Sequence, residues 1–159
     1  MTEFSNLPPV SDALTFSSAL TGVASGAYSV PSNLIDNTPT GPHGVSYMNG
    51  LLRLTFTTPL TAGSGTPFIT LFPLPALDGT NLPAPPGASA AAPRPNTKQF
   101  QAQLVASAAY SIVDFGDPNQ GFALGPFKYG FEFLNSSGVS WSGGGTITAT
   151  LYRWDIQGV

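Results

Sequence analysis

The chain has 159 residues, and 42% of them are hydrophobic, so it is long enough and apolar enough to fold as one domain around its own core. Only 8% are charged, against roughly 25% in ordinary soluble domains, and the formal net charge is −3. A surface this poor in charge costs little to desolvate and resists self-association weakly, which favours a protein that works inside an assembly. The alternative is a Ser- and Thr-rich secreted β domain that remains a monomer.

Charge, cysteine content and hydropathy argue against nucleic-acid binding, cysteine-based sites and a membrane span. The cations are spread too thinly to form a phosphate-binding patch, which disfavours nucleic acid. With no cysteine, disulfides and thiolate metal sites are excluded. The first ten residues lack a basic segment followed by an apolar one, and no run approaches the ~18 apolar residues of a membrane helix. We therefore expect a protein made in the cytoplasm, with no signal peptide and no membrane span. The five cations are Arg53, Arg94, Lys98, Lys128 and Arg153.

Residues 1–45 hold isolated apolar side chains among Ser, Thr, Pro and Gly, and we interpret them as an extended arm with short edge strands. Such an arm is suited to ordering on a partner, and its candidate contacts are Phe4, Leu7, Val10 and Phe16. On this interpretation, removing residues 1–20 leaves the β domain folded and abolishes assembly. The apolar spacing over 14–23 also fits a short helix, and residues 37–44 are a turn-rich loop.

Residues 46–159 show the period-two alternation of β-strands, so we place the folded domain there. Residues 51–57 are the clearest strand, and residues 68–74 follow after a Gly-Ser-Gly segment, which predicts that the two pair as a hairpin. An Asp-Gly turn at 78–79 then leads into residues 82–95, rich in Pro and Ala, which we predict to be an exposed loop.

Four more strands are predicted at 99–105, 110–115, 128–134 and 146–154, with a turn at 116–121. In the last of them, Ile147, Ala149, Leu151 and Arg153 alternate with Thr and aromatic residues. Gly and Pro are too frequent for long helices, and no βαβ spacing is present. The fold class predicted is all-β, an antiparallel β-sandwich or jelly-roll-like domain with an extended N-terminal arm. An edge strand with few protecting charges is suited to receive a strand from a neighbour.

Catalytic motifs are incomplete. His43 is the only histidine and lies in a predicted loop, so it cannot form a multi-histidine site. Asp114-Phe-Gly matches the magnesium-binding triplet of kinases without the other kinase motifs, and residues 138–142 fall one residue short of a nucleophile elbow. Asn135-Ser-Ser is a formal glycosylation sequon. We expect no enzymatic activity, no metal and no cofactor.

Aromatic residues near the C-terminus suggest one small-ligand site. Trp141, Tyr152 and Trp154, with Tyr129, are candidates for a platform on which the apolar side of a sugar ring stacks. Tyr and Trp on strands also occur at interfaces and at the rim of a core, which is the alternative interpretation.

Three strings, spread over much of the chain, resemble small virion proteins of tailed bacteriophages: LPPVSDAL at 7–14, LPALDGTN at 74–81 and FKYGFEFLNSSG at 127–138. The resemblance implies a capsid decoration, or cement, protein whose arm reaches across neighbouring subunits. Its partners would be the major capsid protein and copies of itself, often in a trimer, and its location would be the virion. The alternative is a tail-fibre or receptor-binding module in which Trp141, Tyr152 and Trp154 contact host-surface glycans.

Overall fold

The computed structural model describes residues 9–82, 98–117 and 121–155, and this part of the chain contains strands and 3-10 turns but no α-helix. The all-β prediction is confirmed. No helix in these ranges has the length and hydrophobicity needed to span a membrane. The strands are β1 (Val10–Leu14), β2 (Ile35–Asp36), β3 (Asn49–Thr61), β4 (Phe68–Ala76), β5 (Phe100–Gln103), β6 (Ala109–Phe115), β7 (Phe122–Ala123), β8 (Lys128–Ser136) and β9 (Ile147–Trp154).

The strands form two antiparallel sheets that pack face to face as a β-sandwich. One sheet has the order β1-β9-β3-β6, with β7 pairing to β3 beyond the end of β6. The other has the order β2-β8-β4-β5. Because most neighbours in each sheet are distant in sequence, strand order depends on long-range pairing that local patterns do not encode.

The prediction that the strands at 51–57 and 68–74 pair as a hairpin is wrong. β3 pairs with β6, β7 and β9, whereas β4 lies in the opposite sheet between β5 and β8. The connection crosses between the sheets, and there the Gly63 amide donates to the Ser137 carbonyl at 2.8 Å. A Cβ on Gly63 would lie only 2.9 Å from the Cα of Gly138, so this crossing requires glycine at the contact.

The core lies between the sheets and follows the predicted alternation. On β3 the side chains of Leu52, Leu54 and Phe56 are buried, and they meet Phe131 and Phe133 of β8 in one cluster. Each fully buried side chain of this size stabilises the fold by about 1.5–3 kcal/mol, so the cluster is the main source of stability. Both faces of β4 are buried, as its nearly continuous apolar sequence FITLFPLPA requires.

The segment before β3 is built into the sandwich. β1 pairs with β9 along all five of its residues, and the amides of Ser29 and Ser32 donate to carbonyls of β8. Leu14 and Leu20 are core residues, and the ring of Phe16 lies 6.1 Å from that of Phe133. The alternative helix at 14–23 is only a 3-10 turn at Leu20–Gly22.

These contacts correct two expectations about the arm. Val10 is a β1 residue paired with Arg153, and Phe16 packs against the core, so neither projects as a free anchor. Removing residues 1–20 would delete β1, so it cannot leave the β domain intact. Phe4, Leu7 and the predicted loop at 83–95 lie outside the described residues, while Leu82 packs against Gly130.

Candidate functional site

A buried arginine organises the end of the sandwich where β1 and β8 begin and β2 and β9 end. Arg153 is 1% exposed. Its Nε donates to Asp12 Oδ2 at 2.9 Å, and Nη2 lies 2.7 Å from the same oxygen. Nη1 donates to the Asp36 carbonyl at 3.1 Å and to Asn37 Oδ1 at 2.8 Å. The guanidinium also lies over the Tyr47 ring, 5.3 Å from its centroid, so the buried charge is fully compensated.

Asn37 uses its side chain to close the loop at 38–46. Its Nδ2 donates to the Tyr47 carbonyl at 2.8 Å and to the Gly125 carbonyl at 2.9 Å, while its Oδ1 accepts from the Tyr47 amide at 3.1 Å. At the start of the loop, hydrogen bonds from Thr38, first that of its hydroxyl, lower the pKa of Asp36. The two ends of the loop are therefore held together by the hydrogen bonds between Asn37 and Tyr47.

His43 lies in this loop, with its Nε2 3.6 Å from Asp12 Oδ1. Because Asp12 also binds Arg153, the contact links the loop to the buried cluster. Within the described ranges, no three His, Cys, Asp or Glu side chains are grouped so that they could hold a metal ion. His43 therefore serves to anchor the loop at 38–46 to Asp12 of β1.

The same end of the sandwich exposes three large apolar side chains. Met48 directly precedes β3, Leu77 directly follows β4, and Phe127 directly precedes β8. Since Ala76 pairs with Lys128, residues 77 and 127 occupy the next positions on neighbouring strands. We call Met48, Leu77, Phe127 and the loop at 38–46 the end surface. Of the other large apolar side chains exposed in the described ranges, Val105 lies at the opposite end and Ile112 on β6.

A second surface lies on the solvent side of β9. Tyr152 and Trp154 are partly exposed and alternate with the buried Leu151 and Arg153. Arg53 of β3 lies over the Tyr152 ring, 5.8 Å from its centroid. We call Tyr152, Trp154, Arg53 and Asp114 the outer aromatic face.

Arg53 and Asp114 form a bidentate ion pair in this face. The two residues are opposite one another on β3 and β6, and Nε and Nη2 donate to the two carboxylate oxygens at 2.7 and 2.8 Å. The hydrogen bond to Asp114 raises the pKa of Arg53. The sequence showed both residues but not their pairing, because register between β3 and β6 is a long-range property.

Two of the predicted aromatic platform residues are in the interior, which corrects that prediction. Trp141 is fully buried in the 3-10 turn Trp141–Gly144, with its ring 6.0 Å from Phe56 and 6.1 Å from Phe133. Tyr129 is also buried; its hydroxyl accepts from the Gly125 amide at 2.6 Å, and burial raises its pKa. The sequon residue Asn135 is fully buried too, so it is not accessible to glycosylation in the folded chain.

Comparison with known protein families, with curated proteins and with solved structures finds no match for this chain. Function is therefore inferred from the end surface and the outer aromatic face. The sequence carries one indication of the cluster behind the end surface. Arg153 falls on the aliphatic side of an alternating strand, and a charge there requires a buried partner.

Proposed function

We propose that this chain is a structural protein that decorates and stabilises a bacteriophage capsid by binding between capsid subunits. The end surface supports a binding role, because it presents Met48, Leu77 and Phe127 to solvent at one end of a rigid sandwich. The sequence resemblance to virion proteins supplies the class of partner. The low charge content reduces the polar desolvation that such binding requires.

The size of the end surface favours attachment in several copies. Burying a fully exposed large apolar side chain contributes about 1.5–3 kcal/mol; Met48, Leu77 and Phe127 are 69%, 74% and 38% exposed, so together they give roughly 3–5 kcal/mol. Association costs roughly 4–15 kcal/mol in lost freedom, so one end surface alone binds weakly. Tight attachment then requires several chains to engage together, as a symmetric oligomer such as a trimer would on a symmetric capsid.

The loop at 38–46 also favours binding to a partner. Asn37 and Arg153 hold the ends of the loop at 38–46, and the amides of Gly41 and Gly44 make turn hydrogen bonds inside it, so part of the ordering of its backbone precedes binding of a partner. A preordered loop next to exposed apolar side chains is suited to a fixed partner surface.

The test is co-sedimentation of the purified chain with capsids of the phage that encodes it, with light scattering to give its mass in solution. We expect Leu77→Ser to weaken capsid binding at least tenfold. Val105→Ser is the matched control, because Val105 is 67% exposed and Leu77 is 74% exposed, but Val105 lies at the opposite end. Equal losses in both variants, or a monomer without affinity for capsids, would refute the proposal.

A further inference from the structure

We infer that the outer aromatic face is a saccharide-binding site, formed by Tyr152 and Trp154 with the Arg53–Asp114 ion pair. It shares no residue with the end surface, so it does not depend on capsid binding. A site of this kind is what a tail-fibre or receptor-binding module needs to contact host-surface glycans.

The first component is the pair of aromatic rings. Tyr152 and Trp154 are two residues apart on β9 and so lie on the same side of the sheet. The β1 residues on this side, Ser11 and Ala13, are small and exposed, so no bulky side chain of β1 stands beside the rings. The Arg53 guanidinium lies over one face of the Tyr152 ring, so a pyranose would lay its apolar face of C–H groups on the Trp154 ring or on the other face of Tyr152 while its hydroxyls remain in water.

The second component is a polar group matched to hydroxyls. A guanidinium has five N–H donors, and Arg53 commits only one on Nε and one on Nη2 to Asp114. The carboxylate of Asp114 also retains free lone pairs. Neighbouring sugar hydroxyls each donate and accept a hydrogen bond, so adjacent donors and acceptors on this pair suit a diol.

The pair is also preorganised. Its bidentate geometry and the Tyr152 ring hold the guanidinium in place, while the two side chains keep 37% and 36% of their surface exposed. Ligand binding therefore orders few side chains and leaves the ion pair intact.

The electrostatics of the outer aromatic face favour a saccharide over a nucleic acid as the ligand that stacks on these rings. Aromatic platforms for nucleic acid lie in positively charged grooves, but Asp114 neutralises Arg53 here and the whole chain carries a net charge of −3. The face therefore suits an uncharged ligand.

The first experiment is binding of the full chain to a glycan array that spans neutral hexose, N-acetylhexosamine and deoxyhexose oligosaccharides. We expect binding to at least one class, and absence of binding to all of them overturns the proposal. The strongest oligosaccharide is then used in calorimetric titrations. Tyr152→Ala and Asp114→Asn should each weaken binding at least tenfold, while Thr148→Ala, on the same side of β9, should leave it unchanged.

The two tryptophans allow fold and binding to be separated. The chain has only two, and Trp141 is buried whereas Trp154 is partly exposed. The oligosaccharide should change the tryptophan fluorescence of the native chain, and Trp154→Phe should abolish that change while the emission of Trp141 reports an intact core. If Arg53→Lys, which keeps the charge, binds as tightly as the native chain and so does Tyr152→Ala, the saccharide binds elsewhere and the proposal fails.

Discussion

Replacement of Arg153 by Met should be far more damaging than replacement of Arg53 by Met, although both arginines approach an aspartate to 2.7 Å. Arg153 is 1% exposed, and Asp12 retains 20% side-chain exposure. Removing one partner of a buried ion pair costs about 3–5 kcal/mol, and the residual exposure of Asp12 favours the lower value, ~3 kcal/mol. The Arg53–Asp114 pair is more than one third exposed on both sides, and such pairs contribute about 0.2–1 kcal/mol.

Urea unfolding and thermal unfolding, each followed by far-UV circular dichroism and tryptophan fluorescence, measure the loss of stability in the two variants. For a chain of this size, 1 kcal/mol corresponds to a shift of about 2–4 °C in Tm, so Arg153→Met should lower Tm by about 6–12 °C and Arg53→Met by less than ~4 °C. A double variant, Asp12→Asn with Arg153→Met, removes the uncompensated carboxylate and should recover part of the loss. If the two single variants unfold at the same urea concentration, burial does not determine the cost and the reasoning is refuted.

Three other perturbations test the fold. Deleting residues 1–20 removes β1 and should lower Tm, and an unchanged thermal transition by circular dichroism would contradict its role in the sandwich. Gly121→Ala, at a backbone φ of +65°, presses its Cβ against the Gly50 carbonyl oxygen and places it 2.8 Å from Trp154 Cη2, so chemical denaturation should show a loss of at least about 2 kcal/mol. Hydrogen bonds to Asp78, first from the backbone amide of Asn81, lower its pKa to about 2. The turn is therefore stabilised above about pH 4 and loses this support as the pH falls to about 2; an NMR titration midpoint near 4 would contradict it.

The fold class and six of the strands were predictable because burial on one face of a strand imprints a period of two on the sequence. The strands predicted at 51–57, 68–74, 110–115 and 128–134 all lie within longer or equal strands of the structure. The two-residue strands β2 and β7 are too short to carry a period. The hairpin error has a different origin, since a Gly-rich connection fits a tight turn and a crossing between sheets equally well.

The site was less predictable because its parts come from distant positions. Asp12, Asn37 and Arg153 meet only when β1 pairs with β9 and β2 ends beside them, at separations of up to 141 residues. The burial of Trp141 is not predictable because it lies in a Gly-rich turn without strand alternation to indicate the direction of its side chain. Neither the Arg153 cluster nor the burial of Trp141 follows from local propensity.

β9 connects the two surfaces, because its alternation sends successive residues to opposite sides of one sheet. Arg153 points inward and fixes the loop of the end surface, while Tyr152 and Trp154 point outward and form the outer aromatic face. A shift of one residue in the pairing of β9 would expose the arginine and bury both rings, removing both surfaces together. The register of β9 is therefore the structural feature on which either proposed binding function depends. That register is held by pairing to β1 and β3 and by the buried Arg153 bound to Asp12.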